Sequence, residues 1–183
     1  NGAGVELTWK IVAEQSVNGV EIFRSNKYDG DYTSVGFAAG TDTNFIDYSA
    51  KPAVISYYFM QVVDRFGHVT TRSARTPVVY EDTRVPRNVR NLTADADGKR
   101  IKLTWTTIEK DIAGYFVYRA NGMDTNYVLI SGFIPAKDSL TVYFDEGQVN
   151  SPYGYSYVVK QENTSHVSSG FSMPVYVQGV VLA

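Results

Sequence analysis

The chain has 183 residues, with 17 Lys and Arg against 19 Asp and Glu and no Cys. Its net charge of −2 divides into −3 over residues 1–82 (seven basic, ten acidic) and +1 over residues 83–183 (ten basic, nine acidic). Neither half carries the basic excess that a phosphate backbone demands, which excludes nucleic acid as a partner. No apolar run nears the ~20 residues of a membrane helix, which excludes membrane insertion by this segment. Thiol chemistry and a disulfide framework are absent. Tyr (14) and Phe (9) must therefore supply much of the core.

Taken in order, Val5, Leu7 and Trp9 alternate with Glu6, Thr8 and Lys10, the period-2 pattern of a half-buried strand. Residues 13–18 are polar and predict a turn. Val20 and Ile22 resume the inward face, with Glu21 and Phe23 outward. Asp29-Gly30 signals a turn, and Tyr32, Val35 and Phe37 predict the next strand. Gly40-Thr41-Asp42 turns again before a short strand over residues 44–47. A long strand is predicted over residues 57–63, a turn over 65–68 and a closing strand over 70–80.

The same order then recurs. Leu7-Thr8-Trp9 returns as Leu103-Thr104-Trp105, and Gly19-Val20-Glu21-Ile22-Phe23-Arg24 as Gly114-Tyr115-Phe116-Val117-Tyr118-Arg119, at offsets of 96 and 95 positions. A period of that size is a whole domain and not a solenoid repeat. We expect units at residues 1–82 and 86–183 with residues 83–85 between them. Residues 81–86 form a short extended connection, because a residue before Pro avoids the helical region. Such a connection predicts a restricted angle between the units. The second unit has an extra strand over residues 89–94, followed by an Asp97-Gly98 turn. Its counterpart would precede residue 1, so the sequence predicts a first unit without its opening strand, as in a segment of a longer protein.

No stretch has helical periodicity, and short strands separated by Gly, Asn, Asp and Pro predict an all-β architecture of two β-sandwiches. Trp on the second strand and the absence of a Cys pair argue against a true immunoglobulin domain. The residues resemble tandem fibronectin type III modules over nearly the whole chain. The carrying segments are Ile101-Lys102-Leu103-Thr104-Trp105, the two Gly-to-Arg stretches, Phe45-Ile46-Asp47 and Phe144-Asp145, and Tyr57 to Gly67 with its Asp-x-x-Gly turn. The stretch from Tyr155 to Glu162 keeps the Tyr pattern and loses the turn Gly. The wording Gly-Tyr-x-Val-Tyr-Arg is similar to modules of exported bacterial proteins, often accessory domains of polysaccharide-degrading enzymes. The resemblance implies extracellular, periplasmic or cell-surface placement and a non-catalytic role. Its implied partners are other domains of a parent chain, a polysaccharide or a surface protein.

Candidate sites are few. His68 and His166 fall in equivalent loops without a second ligand at metal spacing. Asp29-Gly30-Asp31 and Asp95-Ala96-Asp97-Gly98 supply too few oxygens for calcium and read as turn chemistry. Glu109 and Asp111 are a carboxylate pair in a short loop, without the cleft that glycoside hydrolysis needs. No catalytic, metal or cofactor residue is assigned, and no cofactor is expected. Asn91-Leu92-Thr93 and Asn163-Thr164-Ser165 fit the glycosylation acceptor pattern. The outward aromatics Phe23, Phe116 and Tyr118, with either Tyr57 and Phe59 or Tyr58 according to the parity of that strand, and Phe66 at a loop tip, form the predicted ligand or partner surface. Stacking on sugar rings is one reading, and cross-strand pairing that stiffens the sheet is the other.

Overall fold

The computed structural model describes residues 4–11, 17–70, 72–147 and 151–178, and every regular element among them is a β-strand. The chain divides into unit 1, Asn1–Arg84, and unit 2, Val85–Ala183.

In unit 1, β1 (Val5–Thr8) pairs antiparallel with β4 (Asn44–Asp47). The second sheet has the order β3-β2-β5-β6, built from β2 (Val17–Ser25), β3 (Thr33–Ala39), β5 (Ser56–Asp64) and β6 (Thr76–Val78). Alternation places Val5, Leu7, Val20 and Ile22 between the sheets, as the period-2 reading expects, and Tyr58 joins them. The polar turn expected over residues 13–18 lies mostly outside the described residues, and Val17 and Asn18 are already strand.

Unit 2 repeats the plan with β7 (Arg90–Asp97), β8 (Arg100–Thr106) and β12 (Leu140–Asp145) in one sheet, ordered β12-β8-β7. The facing sheet centres on β9 (Ile112–Asn121) and β13 (Tyr155–Asn163). β14 (Val175–Val177) lies beyond β13, and the short β10 (Val128–Leu129) and β11 (Ile134–Pro135) lie on the other side of β9. Trp105 is fully buried edge-on against Tyr115, at 5.3 Å between ring centroids, within a core that includes Ile101, Leu103, Val117, Tyr157 and Val159.

Two predicted strands are interrupted, for one physical reason. The expected closing strand over residues 70–80 is strand only at Thr76–Val78, because hydroxyls replace backbone carbonyls as acceptors along β5. Val62 N donates to Thr70 Oγ1 (3.0 Å) and Met60 N to Ser73 Oγ (2.9 Å), while Thr70 N and Ser73 N return bonds to the same two residues' carbonyls. Unit 2 does the same with Ser169 and Ser172 along β13. Residues 127–131, which match the Tyr32 to Gly36 strand of the first unit and so predict a strand, are strand only at β10, with Ser131 Oγ accepting from Val117 N at 2.9 Å before β11 begins. Backbone groups stay satisfied while the ladder is broken.

The Gly that opens each repeated stretch is fixed by what crosses it. A Cβ at Gly114 would lie 2.4 Å from Phe133 Cζ and 2.5 Å from the Ile134 carbonyl oxygen; at Gly19 it would lie 2.2 Å from Phe37 Cζ and 2.4 Å from the Ala38 carbonyl oxygen. The exposed rings can swing, but the backbone carbonyls cannot. Gly114→Ala is therefore expected to cost unit 2 about 1–3 kcal/mol through overpacking. Urea unfolding followed by Trp105 fluorescence checks this; an unchanged midpoint would show that the edge strand yields freely.

Candidate functional site

Outer-face aromatics occur in both units, and the two faces differ. In unit 1, Tyr58 points into the core, so Tyr57 and Phe59 point outward. Phe59 is nonetheless only 2% exposed. Phe23 stacks on it at 4.8 Å and 15°, Tyr32 packs against it at 4.8 Å, and the Arg72 guanidinium covers it at 4.8 Å. Tyr57 meets Tyr28 edge-on at 5.6 Å, and Arg75 lies over Tyr28 and Tyr32 while pairing with Asp29 at 2.6 Å. Phe23 and Tyr57 thus sit in a closed cation–aromatic stack.

In unit 2, Tyr115 and Val117 face the core and Phe116 and Tyr118 face outward, as expected. Phe116 meets Phe133 at 5.7 Å. Tyr118 meets Phe171 at 5.1 Å, Phe171 also meets Tyr127 at 5.6 Å, and Lys160 Nζ lies 4.4 Å from the Phe171 ring. Here the cover is partial, and Phe171, which sequence reasoning missed, remains 39% exposed. Phe66, 76% exposed, stands apart at the tip of the β5 hairpin.

That hairpin corrects the equivalence of the two histidines. Asp64 Oδ1 accepts from Phe66 N (2.7 Å) and His68 N (2.9 Å); Asn163 Oδ1 accepts from Ser165 N (3.0 Å) and Val167 N (2.9 Å). The positive-φ position is Gly67 (+84°) in unit 1 and His166 (+62°) in unit 2, so His166 matches Gly67 and not His68. The missing Gly is replaced by a His in the left-handed region. Each His Nδ1 meets a nearby carboxylate, Asp64 at 3.0 Å and Glu162 at 2.9 Å. Among the described residues no three His, Asp or Glu side chains converge to hold a metal.

The acidic loops are engaged locally. Asp97 pairs with Arg100 at 2.9 Å, and Glu109 approaches Arg87 at 3.8 Å. Asn163 is buried by its turn-capping role, whereas Asn91 is exposed at a bulge in β7 with φ +53°.

The buried polar cluster that each unit carries was not foreseen. Arg24 and Tyr58 are cross-strand neighbours on β2 and β5, and both reach Asp47 at the end of β4 in the facing sheet. Arg24 Nη1 donates to Asp47 Oδ2 at 2.5 Å and the Tyr58 hydroxyl donates at 2.9 Å, while Ser49 N and Oγ donate to Oδ1 at 2.9 and 2.6 Å. In unit 2 the partners are Arg119 (2.7 Å), Tyr157 (2.7 Å) and Gly147 N (3.0 Å) on Asp145. Burial opposes the Asp47 charge, but the Ser49 and Tyr58 hydrogen bonds and Arg24 outweigh it and hold the carboxyl below its ordinary value. Burial and the bond to Asp47 push the Tyr58 phenol up to about 12. Tyr157 is raised by the same two causes. This arrangement clips the two sheets of each unit together.

No family model matches the sequence, and no curated protein matches it. Solved structures do. A two-domain fibronectin type III segment of chicken tenascin matches with a TM-score of 0.54 at 9% identity, over 94% of this chain and 90% of that one. The chicken interferon gamma receptor alpha chain matches at 0.47 and 10% identity, over 98% and 94%. The FN1–FN3 segment of chicken CNTN1 matches at 0.44 and 12%, over 97% of this chain; this chain spans 62% of that segment. The fold is thus all-β, a pair of sandwiches of the fibronectin type III kind, as the tenascin match and the strand order agree.

Proposed function

We propose that the chain is a non-catalytic pair of modules that spaces and docks the other domains of a longer exported or cell-surface protein. One observation carries this reading: the residues that recur between the units serve the fold. Gly19 and Gly114 admit a crossing backbone and ring, and Arg24 and Arg119 bind the sheet-clipping aspartates. Fold alone does not imply function, so the test is functional. In the parent protein, residues 1–183 are replaced by a Gly/Ser linker of equal length, which is flexible where the modules are stiff. Loss of the neighbouring domain's action on an insoluble or surface-bound target is expected; unchanged action overturns the spacer role. Attachment to a polysaccharide-degrading enzyme is the parent we favour, on the wording of the repeated stretch.

The half-open face of unit 2 favours a second reading, a carbohydrate platform of Phe116 and Tyr118 joined by Phe171. The closed stack around Phe23 and Tyr57 offers less ring face, and exposed Phe66 suits a protein partner better. Affinity electrophoresis on a polysaccharide panel is expected to retard the chain, with Phe116→Ala/Tyr118→Ala abolishing the effect. Migration unaltered by every polymer removes this reading.

A further inference from the structure

Unit 2 holds a cleft of about 370 Å³ between residues 107–112 and 136–139, so the Glu109 loop, expected to lack a cleft, lines one. Its walls are tied at both sides by backbone bonds, Thr107 N to Ser139 O at 3.2 Å and Ala136 N to Ala113 O at 2.9 Å. Thr164 N donates to Asp111 O at 2.9 Å and anchors the first loop to the β13 hairpin. Glu109 N donates to Thr107 Oγ1 at 3.2 Å and shapes the loop internally. The cleft is therefore pre-formed, within the size range of small-ligand sites.

Its chemistry is mixed in a specific way. Ile112 and Ala136 give an apolar wall. Tyr115 also lines the cleft; its buried hydroxyl has Thr141 as a polar neighbour but makes no hydrogen bond of good geometry. Unit 1 carries Val20 at the matching position, so this phenol belongs to unit 2 alone. Lys110 and Lys137 line opposite sides of the cleft, and among the described residues neither forms an ion pair. Glu109 is partly neutralised by Arg87, which leaves the two lysines in excess over Asp138.

We propose that this cleft binds a sugar acid, a hydroxylated ring bearing one carboxylate. Lys110 and Lys137 take the carboxylate through charge-assisted bonds. Glu109, Asp138, Thr107 and Ser139 take the ring hydroxyls, and Ile112 and Ala136 meet the apolar edge of the ring. This site is separate from the outer-face aromatics and does not depend on them.

The test is an amide NMR titration of the full chain with D-glucuronate, D-glucose and acetate, each to about 50 mM, which reads millimolar affinities. Glucuronate is expected to shift the resonances of residues 107–112 and 136–139. Lys110→Ala/Lys137→Ala, at exposed positions that leave the core intact, is expected to weaken it roughly tenfold or more, the worth of a charged hydrogen bond. Glucose binding as tightly as glucuronate overturns the role of the lysines. Acetate binding as tightly overturns the role of the ring contacts. An absence of shifts with glucuronate overturns the site.

Discussion

Asp145→Ala is expected to destabilise unit 2 by about 3–5 kcal/mol, the cost of breaking a buried ion pair from one side. Asp145 is 4% exposed and receives Arg119, Tyr157 and Gly147 N. Truncation leaves the Arg119 guanidinium without its carboxylate, among the described residues beside the Tyr155 face, 4.7 Å away, and the Tyr157 hydroxyl. It also leaves the Tyr157 hydroxyl buried without its acceptor, and a buried unsatisfied group costs its full desolvation. Tyr157→Phe removes one charge-assisted bond and leaves the ion pair, so a smaller loss of about 1.5–3 kcal/mol is expected. Urea unfolding of both variants, read through Trp105 with Trp9→Phe as background, separates unit 2 from unit 1. A loss below about 1 kcal/mol for Asp145→Ala would place the pair with exposed salt bridges, and the clip would not matter to the fold.

This clip shows what was legible in the sequence and what was not. The inward faces of β2 and β9 follow from alternation alone, because burial between two sheets imposes a period of 2. The outward placement of Phe116 and Tyr118 follows from the same rule. The clip does not, because it joins residues far apart in the chain: Arg24 to Asp47 across 23 positions and Arg119 to Asp145 across 26. A signal was nonetheless present. Both units keep Arg at the end of the repeated stretch, Asp after an aromatic strand, and Tyr 11 or 12 positions later. The interrupted closing strands were invisible for another reason. Ser and Thr have no fixed pattern when their hydroxyls replace carbonyls in a ladder, so residues 70–80 read as one strand. The closed outer face of unit 1 was also hidden, because Arg72 and Arg75 come from the irregular segment that follows β5.

A chain with no disulfide needs another device to hold two sheets in register, and both units use the same one. It differs from a disulfide in being pH-dependent. Asp47 lies below its ordinary value, so its contribution is present above about pH 3.8 and is lost as pH falls through the folded value.

On the alkaline side the sign is opposite, and the effect is the second largest expected here. The Tyr58 phenol is raised from 10.0 to about 12, because burial disfavours the phenolate and Asp47 binds the neutral hydroxyl. A group with a raised folded value contributes fully below its unfolded value and loses that contribution as pH rises through the folded one. Unit 1 is therefore expected to lose about 2 kcal/mol between pH 10 and about pH 12, and the remainder of about 3 kcal/mol above it. Urea midpoints read through Trp9 across that range, with Trp105→Phe as background, measure the loss. Tyr58→Phe starts less stable, having given up its bond to Asp47, and lacks this ionisation, so its midpoint should fall much less over the same window. Equal slopes for the two proteins would show that the Tyr58 hydroxyl is not held by Asp47 in solution, and that Arg24 and Asp47 clip the sheets without it.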